Sequence, residues 1–411
     1  MFYKRFATKE NIMSYVVYGD NDFKRYLKKS VSHQYMRNVK IEQYPQAVIV
    51  NEHAHGFGVF DNSLKFVKSS RQTRKNNGQF VPKFDRENIP YIDEDAVFIG
   101  NVFPQFGHFL LEHMNRAYAL LNKKYMNMKL VLINNMDVQN VPEYMYKLLE
   151  LLGAKRENII ILNQTTRFKN VYIPEQGFNI PVYSSKEFGK IWDKIAENVP
   201  NTKSYEKIYV SRTALKARKT YGEGVVQKIF EKNGYKIIYP EAMSLVDQIS
   251  LVKNCKYLAG CAGTALHLAL FMKPGGTVIQ IKRNRLPKCN ADIQNLINDT
   301  KKLNGIFISG SVENVKTDHC SSVPQIIGVN KYMREFFDAY NFKYKENDTI
   351  QDDADFNEYK IAMAEYNRRY GSVFINNVKH FIIHYSACFI PGRERRGIWR
   401  NWLKGKLNYE G

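Results

Sequence analysis

The sequence predicts an α/β protein: two Rossmann-like domains facing a cleft, followed by a helical C-terminal extension. Three observations carry this expectation. Short β-branched runs alternate with helical patterns twice, once before and once after a polar stretch near residues 200–206. Connections long enough to hold a helix demand parallel strands with helices on both faces of a sheet. A chain of 411 residues that is 44% hydrophobic has enough apolar material for more than one core.

The elements follow in order. In residues 1–200, the runs "QAVIV", "AVFIG", "KLVLI", "NIIIL" and "VYIP" read as buried strands, with "PEYMYKLLELLGA" as a crossover helix. Residues 201–318 repeat the alternation: strand "KIYVSR", helix "GEGVVQKIFEKNG", strand "YKIIYP", helix "SLVDQISLVKN", strand "KYLAG", helix "GTALHLALFM", strand "GTVIQI" and strand "GIFISG". Residues 319–390 change to helical spacing in "NKYMREFFDAYNFKY" and "NEYKIAMAEYNRRYG", which predicts helices packing back on the domains. Residues 391–411 mix Arg and Lys with Trp399, Trp402 and Leu403. That is the pattern of an interfacial helix on an anionic membrane, or of a basic tail that packs its tryptophans on the protein.

Formal net charge is +21, with no block of six like charges. This suits an anionic partner, whether a nucleotide phosphate, an acidic glycan or a membrane surface, and also simple solubility. No RNP-like, helix-turn-helix or zinc-finger pattern supports nucleic-acid binding. Five cysteines without a CxxC pair indicate neither a disulfide framework nor a zinc site, and a reducing cytoplasm fits best. The first residues lack the apolar run and cleavage site of a signal peptide, and the longest apolar run, "HFIIHYSACFI", is far shorter than a membrane span. A soluble or peripheral protein is expected.

Three stretches carry chemistry. In "KYLAGCAGTALHLALFMKPGG" a strand ends at Gly260, a small-residue turn reaches Gly263, and a helix opens at Thr264 and Ala265. Free N–H groups and the positive end of that helix suit a pyrophosphate. Gly263 lets phosphate oxygens approach the main chain, and Thr264 adds a hydroxyl. In "IYVSRTALKARKT" Ser211 and Arg212 end a strand, with Lys216, Arg218 and Lys219 beyond. Basic groups at that place project into the crevice where parallel sheets bind ligands, and Arg212 can fork onto a diphosphate. In "YPEAMSLVDQ" Ser244 and Asp247 have a helix-capping role, whereas Glu241 has none and is free to accept from a ribose.

Taken together these elements resemble the C-terminal half of glycosyltransferase family 61. The resemblance rests on Ser211-Arg212, the helix acid Glu223, Pro240-Glu241 before Asp247-Gln248, Gly260 and Gly263 followed by Leu266 and Phe271, and Pro274-Gly275 to Val278-Ile279. It covers roughly residues 95–285. Family members also carry a His-x-x-x-acid-x-x-Pro-Arg segment, matched here by His108, Glu112 and Arg116, with Asn115 in the proline position. Cys261 and Leu268 depart from the family's frequent Pro and Asn.

The resemblance implies an inverting, metal-independent GT-B enzyme that takes a sugar from a nucleotide diphosphate, most readily UDP. The acceptor is a glycan or lipid-linked glycan in bacterial capsule or lipopolysaccharide synthesis, held by residues 1–200, with the donor on 201–318. His108 and Glu112 are the candidate catalytic pair. Arg116, Ser211, Arg212, Arg218, Glu241, Gly260, Gly263, Thr264 and Ala265 are the candidate substrate-binding residues. On a regular helix His108, Glu112 and Arg116 form one stripe, facing the cleft or making a surface salt-bridge ladder. A metal on the His-Glu pair lacks a third ligand at motif spacing. The alternative to an enzyme is a nucleotide- or glycan-binding protein descended from a transferase.

Overall fold

The computed structural model describes residues 15–52, 56–71, 88–134, 136–215, 219–284, 290–312, 323–370, 373–388 and 390–407. In chain order, the strands of its two large sheets are β1 (Tyr15–Tyr18), β2 (Ile41–Pro45), β3 (Val48–Glu52), β4 (Gly56–Phe60), β5 (Tyr91–Asn101), β6 (Lys129–Ile133), β7 (Ile159–Leu162), β8 (Thr166–Pro174), β9 (Lys207–Val210), β10 (Lys236–Ile238), β11 (Tyr257–Cys261), β12 (Thr277–Lys282) and β13 (Asn304–Ser309).

The second sheet runs β1-β13-β12-β11-β9-β10, and every pairing in it is parallel. Its central strands are buried and mostly apolar, as strands covered on both faces are, with Gln280 and Lys282 of β12 buried among them. The first sheet runs β4-β3-β8-β5-β6-β7. Only β8-β5-β6-β7 are parallel; β3 pairs antiparallel with both β4 and β8, and β2 lies antiparallel along β8. The expectation of parallel strands therefore fails for "QAVIV". Three residues separate β3 from β4, too few for a crossover, so the neighbours must reverse.

The division at residue 200 also leaves one strand on the wrong side. β1 is in the second sheet, pairing Tyr15 to Tyr18 with Gly305 to Ile308 of β13. Helix α1 (Asn21–Val31), capped by the Asp20 carboxylate on the Phe23 N–H at 2.7 Å, follows it there. Its Phe23 and Leu27 are buried, and its Tyr26 hydroxyl donates to Asp292 at 2.7 Å.

The two sheets share a core. Helix α2 (Lys186–Asn198) is capped by Ser185, whose hydroxyl accepts from the Phe188 N–H at 3.1 Å. Its apolar face of Phe188, Ile191, Trp192 and Ile195 is buried. Trp192 meets Phe271 of the other half edge to face at 5.5 Å. One continuous apolar cluster thus runs from β5 and β6 through α2 into the helix after β11, and it fixes how the C-terminal ends of the two sheets approach each other.

The expected C-terminal helices are present as α3 (Lys331–Ala339), α4 (Asp353–Tyr370), α5 (Val373–Cys388) and α6 (Arg393–Lys406). Met333, Phe336 and Phe337 of α3 join the core of the second sheet. Trp399 of α6 donates its indole N–H to Ser386 of α5 at 2.9 Å and stacks on Trp402 at 5.1 Å. Among the described residues, no helix is long and apolar enough to cross a membrane.

Candidate active site

The chain leaves β5 at Asn101 and enters the segment that bears the histidine and glutamate. It is not one α-helix. A single α-turn (Phe106–His108) opens into a π-helical turn (Phe109–His113), then tightens into a 3₁₀ helix (Met114–Leu121). His108 and Glu112 face each other across the first widening, and Glu112 Oε2 contacts His108 Nδ1 in a charge-assisted pair. The Phe103 ring lies 5.1 Å from the His108 ring and stacks on His113 at 5.2 Å.

Arg116 leaves the stripe. A π-turn followed by a 3₁₀ turn rotates later residues away from where α-geometry would put them. Arg116 is fully buried, donating from Nε to the Pro174 carbonyl at 2.9 Å and from Nη2 to the carbonyls of Ser69 and Arg71, each at 3.0 Å. Burial lowers its pKa to about 10, which leaves it charged at neutral pH. It is a strut inside the first half, so its expected place in a substrate-facing row is corrected.

On the other half, the turn after β11 carries the glycines. Gly260 is a packing glycine: a Cβ there would lie 2.6 Å from Val210 Cγ2 and 2.8 Å from its carbonyl oxygen. Gly263 sits at φ +155°, where an L side chain is strained. The Cβ it lacks would meet Arg212 Nη1 at 3.2 Å and Arg283 Nη2 at 4.0 Å. Two guanidinium groups therefore converge on bare backbone at the start of the 3₁₀ helix Thr264–Phe271, in which Thr264 is exposed and Ala265 half-buried. N–H groups and positive charge in this arrangement are able to hold an anion.

Arg283 stands just beyond the end of β12. Sequence reasoning missed it, although "IQIKR" offers the same signal as "IYVSR": a basic residue directly after a buried parallel strand. Ser211 faces inward instead of toward Gly263 and its arginines. Its hydroxyl lies 2.6 Å from Gln227 Oε1 and 2.8 Å from the Thr213 hydroxyl. Arg218 lies outside the described residues. Glu241 is exposed in a short turn after β10. Asp247 and Ser244 cap the helix at Leu245–Val252, the Ser244 hydroxyl accepting from the Asp247 N–H at 3.1 Å.

Behind Arg212 stands Glu223, fully buried in the first turn of the helix Glu223–Lys232. Its Oε1 accepts from the Arg212 backbone N–H at 3.0 Å and from the Tyr209 hydroxyl at 3.2 Å. Burial raises its pKa to about 7 against the opposing pull of these donors and of Arg212 and Arg283. Glu223 pins the strand end from which the Arg212 side chain departs.

Besides the shared core, the two halves touch at Gly107, beside the His108-Glu112 pair. A Cβ on Gly107 would lie 2.7 Å from Thr264 Cγ2, 2.9 Å from Thr264 Oγ1 and 3.1 Å from His267 Nδ1. Thr264 and His267 are three apart on a 3₁₀ helix and share a face. The residue before His108 is thus seated against the helix start that Arg212 and Arg283 flank. Burial, with the neighbouring His108, lowers the His267 pKa to about 4, so His267 is neutral at physiological pH. Among the described residues, no three His, Cys, Asp or Glu side chains cluster as metal ligands would.

Residues 106–279 match the family model described as Glycosyltransferase 61. The match opens at Phe106, the first residue of the site turn, and closes within β12, so it spans both sides of the Gly107 contact. Over this segment the chain is similar to glycosyltransferase family 61. Every candidate site residue named from the sequence falls inside the glycosyltransferase 61 segment, and Arg283 stands four residues past its end. No curated protein matches the chain.

Proposed function

We propose that this glycosyltransferase is an inverting enzyme of GT-B type, with UDP-sugar as donor and a glycan or lipid-linked glycan as acceptor. The observation that carries the reading is the Gly107 contact. It seats the His108-Glu112 pair beside the helix start where Arg212 and Arg283 converge.

In this scheme the donor diphosphate lies at Gly263, Thr264 and Ala265, with the arginines on its oxygens. An acceptor hydroxyl attacks the anomeric carbon from the face opposite the nucleotide. The bond from that carbon to the phosphate oxygen breaks, and its electron pair leaves as charge on the diphosphate. The arginines and N–H dipoles hold that charge, which is the electrostatic share of the rate. Glu112 or His108 takes the acceptor proton while the other orients it, a general-base contribution of about 10²–10⁴-fold. The cations already present make the scheme metal-independent. Residues 201–318 take the donor role, and most of residues 1–200 the acceptor role.

Capsule or lipopolysaccharide assembly in bacteria is the setting that the family resemblance favours. A peripheral position on the cytoplasmic side of a membrane fits α5 and α6. Val378, Phe381, Ile382 and Tyr385 form an exposed apolar stripe on α5, and Ile398 and Trp402 add to it from α6. The basic residues Arg395, Arg396, Arg400 and Lys404 lie on the same helix as Trp402. An apolar stripe flanked by cations suits an anionic lipid surface.

The test is a hydrolysis screen across nucleotide sugars, followed by linkage analysis of the product. Release of UDP from one donor, with inverted configuration in the transferred sugar, is the expected result. No turnover of any nucleotide sugar, with or without a glycan mixture, would refute it.

A further inference from the structure

A second cleft lies in the first half, away from Arg212 and Arg283. Its cavity of about 590 Å³ is bounded by β2, by the segment after β4 and by the residues that follow β8. This volume is in the range of small-ligand sites. We propose that this cleft binds the acceptor and selects a glycan that carries acidic groups. The proposal rests on the glycosyltransferase reading and adds the chemistry of the second substrate.

Topology puts the cleft on the reacting side. Glu175 and Gln176 line it directly after the C-terminal end of β8. β8 and β5 are parallel neighbours, so the chain leaving β5 toward His108 departs from the same edge of the sheet. Crevices at that edge are where such sheets hold ligands. The buried Arg116 joins the two places. It donates to the carbonyls of Ser69 and Arg71 on the cleft wall from the same short helical segment that presents His108 and Glu112. Tyr118 of that segment donates to the Glu175 carbonyl at 3.2 Å.

The lining has the chemistry of a sugar site with spare positive charge. Tyr44 and Phe66, both half-buried on its wall, offer ring surface against which the apolar face of a pyranose can pack. The carboxylates are already engaged. Glu42 accepts from Ser69 at 2.7 Å and from Tyr44 at 3.1 Å, and pairs with Lys40 at 2.7 Å. These contacts hold its carboxyl below the ordinary range. Glu175 pairs with Arg37 at 3.0 Å, and Asp61 accepts from the Lys65 N–H at 2.9 Å. By contrast, Lys65 and Lys68 are exposed and form no ion pair among the described residues. A neutral sugar has no use for those cations, whereas a carboxylate, sulfate or phosphate on the acceptor does.

The experiment measures affinity for polygalacturonate, heparin and neutral dextran, with UDP titrated in parallel on the same protein. The expected result is preference for at least one anionic polymer over dextran. Lys65→Glu with Lys68→Glu lowers that affinity by about tenfold or more and leaves UDP affinity unchanged. Lys28→Glu with Lys29→Glu on α1 makes the same charge change elsewhere and has less than about a twofold effect. Polygalacturonate and heparin separate a carboxylate-reading cleft from a sulfate-reading one. Equal loss in both double variants would show only the attraction of a basic protein for polyanions and would overturn the proposal. Equal binding of dextran and the anionic polymers would also overturn it. Failure of UDP alone to bind would strike the donor reading and leave the acceptor result legible.

Discussion

At the scale of single residues, the proposed mechanism gives His108 and Glu112 the proton and Arg212 and Arg283 the leaving charge. His108→Ala and Glu112→Ala each lower turnover by about 10²–10⁴-fold, and the double variant is little worse than the poorer single one, because the two act as a unit. A mere surface ion pair would instead cost under about 1 kcal/mol of stability and leave turnover intact. Arg283→Ala weakens UDP binding by about 2 kcal/mol, a charge-assisted contact, with the fold retained; titration calorimetry reads the binding and scanning calorimetry the unfolding transition. Glu223 makes stability depend on pH. Its pKa is raised from 4.5 to about 7 on folding, so the folded state binds the proton more tightly. Its contribution is fully present below pH ~4.5 and is lost as pH rises to ~7, at about 1.4 kcal/mol per unit. Glu223→Gln retains an oxygen for the Arg212 N–H and Tyr209 hydroxyl while removing the titration, so denaturation curves at pH 5 and pH 8 differ less in the variant than in the wild type. Equal differences would remove Glu223 as the cause. The His108-Glu112 pair was legible because residues four apart meet on most helical turns. Arg116 was not, because nothing in "GHFLLEHMNRAYALL" signals that the helix widens and then tightens, which drives the third residue inward. Gly260 and Ser211 read as ligand contacts because a small or polar residue at a strand end serves packing and binding equally well.

At the scale of elements, glycine marks where pieces come together. Gly107 lets the site turn sit on Thr264 and His267, and Gly222, at φ +74°, begins the Glu223 helix with the place of its missing Cβ 2.1 Å from the Ile327 carbonyl oxygen. Gly222→Ala therefore destabilises the protein by about 2 kcal/mol or more, from left-handed strain together with a backbone clash; an unchanged denaturation midpoint would contradict this. Gly107→Ala pushes the turn away from Thr264 and lowers turnover more than stability, a split visible when rate and midpoint are measured on one preparation. The runs read from periodicity, which reports burial, do form strands and helices, whereas β1, β2, β4, α1 and α2 were not read from it. Direction and partner are not encoded in periodicity. "QAVIV" is as apolar as a parallel strand, yet the chain reverses after it because three residues are too few for a crossover to β4. "YVVY" of β1 looks like any N-terminal strand, yet it crosses to pair with β13 some 290 residues later in the chain, a contact that no local pattern announces.

At the scale of the whole molecule, two sheets joined by a shared apolar cluster bring the Arg212-Arg283 pair, the His108-Glu112 pair and the Glu175 cleft to strand ends, with exposed apolar side chains on α5 and α6. If that stripe docks on lipid, Phe381→Ser with Trp402→Ser reduces sedimentation with anionic vesicles at low salt by about tenfold and leaves transfer to a soluble acceptor unaltered. Equal sedimentation would end the membrane assignment. The tail's basic and aromatic composition was legible in the sequence; that α5 supplies most of the exposed apolar surface, while Trp399 turns inward onto Ser386, was settled only by packing. The most direct test of the central claim, that the two halves divide the work across the Gly107 contact, is to measure transfer rate and UDP affinity together on Glu112→Gln and Arg212→Ala. The account predicts a crossed result: Glu112→Gln loses about 10²–10⁴-fold in rate and keeps its UDP affinity, while Arg212→Ala weakens UDP binding by about tenfold or more. Full transfer activity in Glu112→Gln, or undiminished UDP binding in Arg212→Ala, would contradict it.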